Sequence, residues 1–125
     1  MFFLEEIIYI RERVKLGYLG SQFTVMVEKG IAASIMRYLK SLPHCFAWKE
    51  HGGMYGTSGL PDIICCINGM FVAFEVKTDK GKLSKLQEIT TQRINAAKGK
   101  AFKVTSVEEV KKILNGLGVL DNLDV

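Results

Sequence analysis

Apolar positions recur along this chain with two different periods, and the change from one to the other divides it into elements. Over 4–15, Leu4, Ile7, Ile8 and Val14 fall on one side of a short helix. Past Gly17 and Gly20, a second helix is predicted from Thr24, as N-cap, to about Ser41, ahead of Pro43. Its apolar face carries Val27, Ile31, Ile35 and Leu42, with Tyr38 and Leu39 alongside. The stretch 45–49 (CFAWK) reads as a short strand, followed by the glycine-rich loop HGGMYGTSGL, which has no periodicity. Two β-branched and apolar runs follow, 61–67 and 70–77, joined by Asn68-Gly69. An Asn-Gly pair between such runs is the strongest short-range sign of a hairpin, because both turn residues must take positive φ. Further on, 83–97 is helical in pattern, with Ser84 as N-cap and Gly99 beyond its end. The run 100–105 (KAFKVT) reads as a strand. Ser106-Val107-Glu108-Glu109 is a capping box opening a last helix, with Val107, Val110, Ile113 and Leu114 apolar and Gly116 as its stop. From the second helix onward the order is helix, strand, strand, strand, helix, strand, helix, which is an α/β domain.

The hairpin sets the chemistry. A two-residue turn pairs Ile67 with Met70, and counting outwards pairs Cys66 with Phe71, Ile64 with Ala73 and Asp62 with Glu75. One face then carries Asp62, Ile64, Cys66, Phe71, Ala73, Glu75 and Lys77, and the other carries only apolar residues from Ile63 to Val76. Both faces are expected to be mostly buried, so helices should pack on each side of the sheet. Asp62, Glu75 and Lys77 are the only charges between 62 and 77, and all three sit on one face at one end. Opposed carboxylates in a sheet destabilise it unless they share a proton or bind a cation. Converging hard oxygen ligands suit Mg²⁺ or Mn²⁺, and Lys77 is placed to orient water or stabilise charge on a phosphate. Glu28 borders the apolar stripe of the second helix, either as a solvated rim residue or turned into a polar pocket. Gln87 closes Ser84-x-x-Gln87, which is itself a capping box, so a cap and a site role both stand open.

Composition narrows the class. A chain of 125 residues supports one core. No apolar run approaches the ~18–20 residues of a membrane span. The opening MFFLEEIIYIRERVKLG is broken by Glu5 and Glu6, unlike a secretory signal. Cys45, Cys65 and Cys66 offer neither a C-x-x-C pair nor a zinc spacing with His44 or His51, so a soluble, reducing, intracellular setting is expected. The net charge of +4 is unevenly spread. Between Lys77 and Lys103 eight basic residues face only Asp79 and Glu88. Basic charge beside a carboxylate cluster suggests a polyanion brought to a metal.

At these residues the sequence resembles the PD-(D/E)XK nuclease superfamily, whose signature is a Pro-Asp, a strand hairpin and a Glu-x-Lys. More narrowly it resembles the virus-type replication-repair nuclease (VRR-NUC) family in its stand-alone short form. The residues are Gly59-Leu60-Pro61-Asp62, Phe74-Glu75-Val76-Lys77, Leu83-Ser84-x-x-Gln87 and the helical Glu28, over about 23–114. The resemblance implies a restriction-endonuclease-like α/β core: a mixed sheet with a central hairpin and helices on both faces. It implies a divalent-metal site held by Asp62, Glu75, the Val76 carbonyl and Glu28, directly or through water. Lys77 would position the attacking water and Gln87 would support the site. It further implies Mg²⁺- or Mn²⁺-dependent cleavage of DNA, with branched DNA such as four-way junctions as substrate, a 5′-phosphate product and a homodimer. The expected setting is the cytoplasm of a bacterium or phage-infected host cell. The nuclease domain is expected over 23–125, and 1–22 as an extension, with dimer contact among its possible roles. Lys80, Lys82 and Lys85 are the expected DNA contacts. The competing classes are a non-catalytic DNA-binding module on the same fold, against which the intact Asp62, Glu75 and Lys77 argue, and an oligomerising scaffold.

Overall fold

The computed structural model describes residues 20–50 and 58–120. Its elements are α1 (Gly20–Ser41), β1 (Cys45–Lys49), β2 (Ile63–Ile67), β3 (Met70–Val76), α2 (Lys85–Ala96), β4 (Lys100–Val104) and α3 (Val107–Gly116). The helix expected over 4–15 lies outside the described residues, as does most of the proposed 1–22 extension.

The sheet has the order β1-β2-β3-β4. β1 and β2 are antiparallel, β2 and β3 are antiparallel, and β3 and β4 are parallel. The sheet is therefore mixed, and the parallel step is made by α2 as a crossover, since parallel neighbours cannot be joined by a tight turn. The hairpin has the expected register, Ile67 with Met70, Cys66 with Phe71 and Ile64 with Ala73. Asn68 and Gly69 both have positive φ, 50° and 85°. The ladder stops at Ile63 and Phe74, so Asp62 is not a strand partner of Glu75 but sits one step past the ladder.

Helices pack on both faces of the sheet as expected, but the faces are buried unequally. Ile63, Cys65, Ile67, Val72, Phe74 and Val76 form the main core with Ala32, Ile35 and Leu39 of α1 and Val110 and Leu114 of α3. Phe74 and Phe102 stack across β3 and β4 with ring centroids 6.2 Å apart. The opposite face holds a small second core of Ile64, Ala73 and Ala101 under Ile94 of α2. Cys66 and Phe71, on that face, stay exposed because α2 packs on β4 rather than over β1 and β2.

Two helix starts also differ from the pattern. Thr24 is not an N-cap: α1 already runs through it from Gly20. Nothing in Ser21–Phe23 breaks a helix, and a threonine is tolerated inside one at modest cost. At α3, Ser106 accepts from the Glu109 N–H as expected, but the Glu109 carboxylate bonds the N–H and hydroxyl of Thr105, one residue before the cap. The capping box at Ser84 is complete.

Candidate active site

The site lies where β1 and β3 end and β2 begins. Asp62 is half-buried just before β2, and its Oδ2 accepts from the Val76 N–H at 2.9 Å. That bond draws the carboxylate across to β3 without a ladder position. The Asp62 carbonyl accepts from the Glu50 N–H at 2.7 Å, which ties the same residue to the end of β1. Gly59, with φ +83°, lets the preceding loop turn close against α2, where an added Cβ would lie 2.6 Å from Leu86 Cγ. Only glycine combines that φ with that approach.

Glu75 is the one charged residue in the described core, 5% exposed. Its Oε1 is buried with no hydrogen-bond partner, and its Oε2 lies 3.6 Å from Lys77 Nζ. Burial pushes its carboxyl up from the usual 4.5 to about 8, helped by the Asp62 charge and a hydrogen bond with Asp62, while Lys77 opposes the rise. Without a cation, burial therefore favours the protonated form of this group at neutral pH. The Lys77 N–H donates to the Val104 carbonyl at 3.0 Å, extending the parallel ladder by one bond and fixing the strand end. The turn at Gly81 closes over the lysine stem, since a Cβ there would meet Lys77 Cβ at 3.0 Å. Lys103 Nζ holds that turn by donating to the Gly81 carbonyl at 2.9 Å.

On the other side, a cavity of about 180 Å³ opens between α1 and the strand ends, lined by Val25, Glu28, Lys29, Ala32, Lys49 and Asp62. Glu28 precedes the buried Ala32 by one turn, which places it on the side of α1 that faces the cavity it lines with Asp62. Glu28 is half-buried at the mouth of this cavity. Among the described residues no three His, Cys, Asp or Glu side chains form a tight metal cluster. The Asp62 and Glu75 pair still fits a hard divalent cation, with two neighbouring carboxyl groups and one buried oxygen without a partner.

A solved structure described as a VRR_NUC domain matches with a TM-score of 0.61 and 22% identity, over 71% of this chain and 95% of that one. The chain has the VRR_NUC-domain fold. No family model and no curated protein matches the sequence. Because nearly the whole neighbouring chain is spanned, the likeness is to a complete domain with its α/β core, not to a shared hairpin.

On this VRR_NUC fold, Glu75 lies beside both Asp62 and Lys77, and Glu28 lines a cavity together with Asp62. Val76 contributes its N–H to Asp62. Gln87 is engaged in the cap of α2: its Oε1 accepts from the Ser84 N–H at 2.8 Å. Lys80, Lys82 and Lys85 are exposed on the turn and helix start just beyond Lys77. The basic segment is not one stripe, however. β4 runs parallel to β3, so Lys103 pairs with Glu75 at the site end, whereas Lys98 borders the hairpin turn at the other end with Asn68 and Gly69. Lys49 was not singled out by the sequence, although it lines the cavity. The alternation Cys45, Ala47, Lys49 was its only signal, and it has no meaning until β1 is paired with β2. No helix among the described residues is long and apolar enough to cross a membrane.

Proposed function

We propose that the protein is a metal-dependent endonuclease of the VRR-NUC family, hydrolysing phosphodiester bonds in DNA and selecting branched structures such as four-way junctions. The observation that carries this reading is the buried Glu75 Oε1 without a partner, on a carboxyl group beside Asp62 whose other oxygen, Oε2, lies 3.6 Å from the Lys77 ammonium. A buried acid with an unpartnered oxygen is costly to keep, and a divalent cation relieves the cost while performing chemistry.

Asp62 and Glu75 would hold Mg²⁺ or Mn²⁺, with the Val76 carbonyl and with Glu28 from across the cavity, directly or through water. When bound, the ion supplies positive charge to a phosphoryl oxygen and acidity to a water. Lys77, anchored at the strand end and beside Glu75, orients the attacking water or stabilises negative charge growing on the phosphate. Lys80, Lys82 and Lys85 bind flanking backbone phosphates. Gln87 supports the site by fixing the start of α2 next to the Lys77 turn. A homodimer supplies two such centres, as symmetric cutting of a junction requires. Sedimentation at micromolar concentration tests it, and a clean monomer that resolves junctions refutes it.

The deciding experiment is cleavage of a panel of four-way junction, flap and linear duplex DNA in Mg²⁺, Mn²⁺ or EDTA. Metal-dependent nicking, strongest on the junction, is expected. Salt-sensitive binding without cleavage on any substrate would return the non-catalytic DNA-binding reading.

A further inference from the structure

Lys49 is the last residue of β1 and stands opposite Ile63, one position from Asp62. The β1 side chains alternate: Cys45, Ala47 and Lys49 are half-buried, while Phe46 and Trp48 are exposed. Cys45 and Ala47 pack against the main core under α1. Lys49 continues that inward row, and its side chain reaches the cavity wall with Glu28 and Asp62. Lysine is among the residues least often turned inward. Here the inward position is the one that meets the carboxylates.

Sheet order gives the layout. β2 lies between β1 and β3, with neighbouring strands ~4.8 Å apart. Lys49 therefore lies beside Asp62 on the α1 face of the sheet, while Lys77 lies beside Glu75 on the other face. Ionised Glu28, Asp62 and Glu75 carry three negative charges against the two positive charges of Lys49 and Lys77. With a divalent cation bound and all three carboxylates ionised, the balance is +1, which matches a phosphodiester monoanion. With Lys49 removed the loaded site would be neutral and would offer the phosphate no net attraction. Lys29, on the same wall, is exposed, and solvent screens its share.

We propose that Lys49 is a ligand of the substrate phosphate: its ammonium binds a non-bridging oxygen of the DNA backbone on the α1 side of the carboxylates, opposite Lys77. The identity of the anion rests on the nuclease reading, but the test does not need cleavage. Lys49→Met keeps the side-chain stem and removes the charge. Affinity for a short DNA duplex is measured over a range of salt in Ca²⁺, a hard cation that takes the same oxygen ligands. Lys49→Met should bind roughly 10-fold more weakly at low salt, with the log–log salt slope shallower by about one unit. Lys49→Arg should recover most of both. Ca²⁺ binding without DNA should be unchanged or tighter, because a like charge has left. A lysine that served only to neutralise Glu28 and Asp62 would leave the salt slope unchanged, and that result overturns the proposal. Should Lys49→Met not fold, Lys49→Gln gives the same reading of the slope. If the slope falls as expected but Mg²⁺ never yields cleavage, the nuclease reading fails and the phosphate ligand stands. Intact cleavage with an unchanged slope sinks Lys49 alone.

Discussion

The metal-free protein should lose stability as pH rises through neutrality, the reverse of what a salt-bridged carboxylate gives. In the unfolded chain the Glu75 carboxyl ionises near 4.5, while in the fold burial and Asp62 hold its proton up to about 8. Across that window the folded state binds more protons than the unfolded state, so unfolding free energy falls with pH. The contribution is fully present below 4.5, declines through the window, and falls no further above about 8. At ~1.4 kcal/mol per pH unit, the ceiling is on the order of 5 kcal/mol, comparable to the whole stability of a marginal small domain. With a urea m-value of ~2 kcal/mol per molar, the midpoint in EDTA should drop by roughly 2 M between pH 5 and pH 8. Mg²⁺ should reverse the trend, since a cation competes better with the proton as pH rises. Glu75→Gln removes the titrating group, so its midpoint should stay flat over the window. It should exceed wild type at pH 8 in EDTA and gain nothing from Mg²⁺. Urea melts at pH 5, 6, 7 and 8, with EDTA and with Mg²⁺, measure all of this. A flat wild-type profile in EDTA, or a Glu75→Gln profile falling in parallel with wild type, would refute the reasoning.

Asp62→Asn should abolish cleavage with the fold intact, because an amide oxygen can still accept the 2.9 Å bond from the Val76 N–H. Circular dichroism and a junction-nicking assay check both halves. Lys77→Ala should lower turnover by roughly 10²–10³-fold while calorimetry still detects metal binding; lost metal binding would reassign its role. Lys80→Ala, Lys82→Ala and Lys85→Ala should each make the salt dependence of DNA affinity shallower by about one unit. Gly59→Ala should destabilise the protein by a few kcal/mol, since its backbone has φ +83° and its Cβ would lie 2.6 Å from Leu86 Cγ; an unchanged urea midpoint would count against that contact.

The parts of the fold that were legible in the sequence are those decided by neighbours in the chain. A period of two, a turn that needs positive φ, and a Ser-x-x-Gln box each act over four to fifteen residues, and the hairpin and the start of α2 follow them. The start of α1 did not, because Thr24 has the chemistry of a cap without a break before it. The exposure of Cys66 and Phe71 was equally hidden. It depends on where the crossover helix comes to rest over the sheet, and an apolar alternation looks the same whether or not a helix arrives to cover it.

The same division runs through the site. Glu75 and Lys77 could be placed together at one strand end from hairpin counting. The same counting brought Asp62 near them, although Asp62 lies past the ladder and is drawn to β3 by the Val76 N–H. Glu28 and Lys49 could not, because each reaches the site across a tertiary contact, α1 on β1 for one and β1 on β2 for the other. The hairpin is apolar and locally consistent at every position except its open end, where two acids meet in a low-dielectric environment. A fold usually breaks its own packing rules where something else is required of it. What surrounds the break supports that view: one backbone N–H for Asp62, one ammonium for Glu75, and an open cavity lined by Asp62, Glu28 and Lys49. These partners stop short of saturating the two carboxylates, since a buried oxygen is left over. A purely structural ion pair would have closed that gap with a donor, so the leftover valence is itself the argument for a cation.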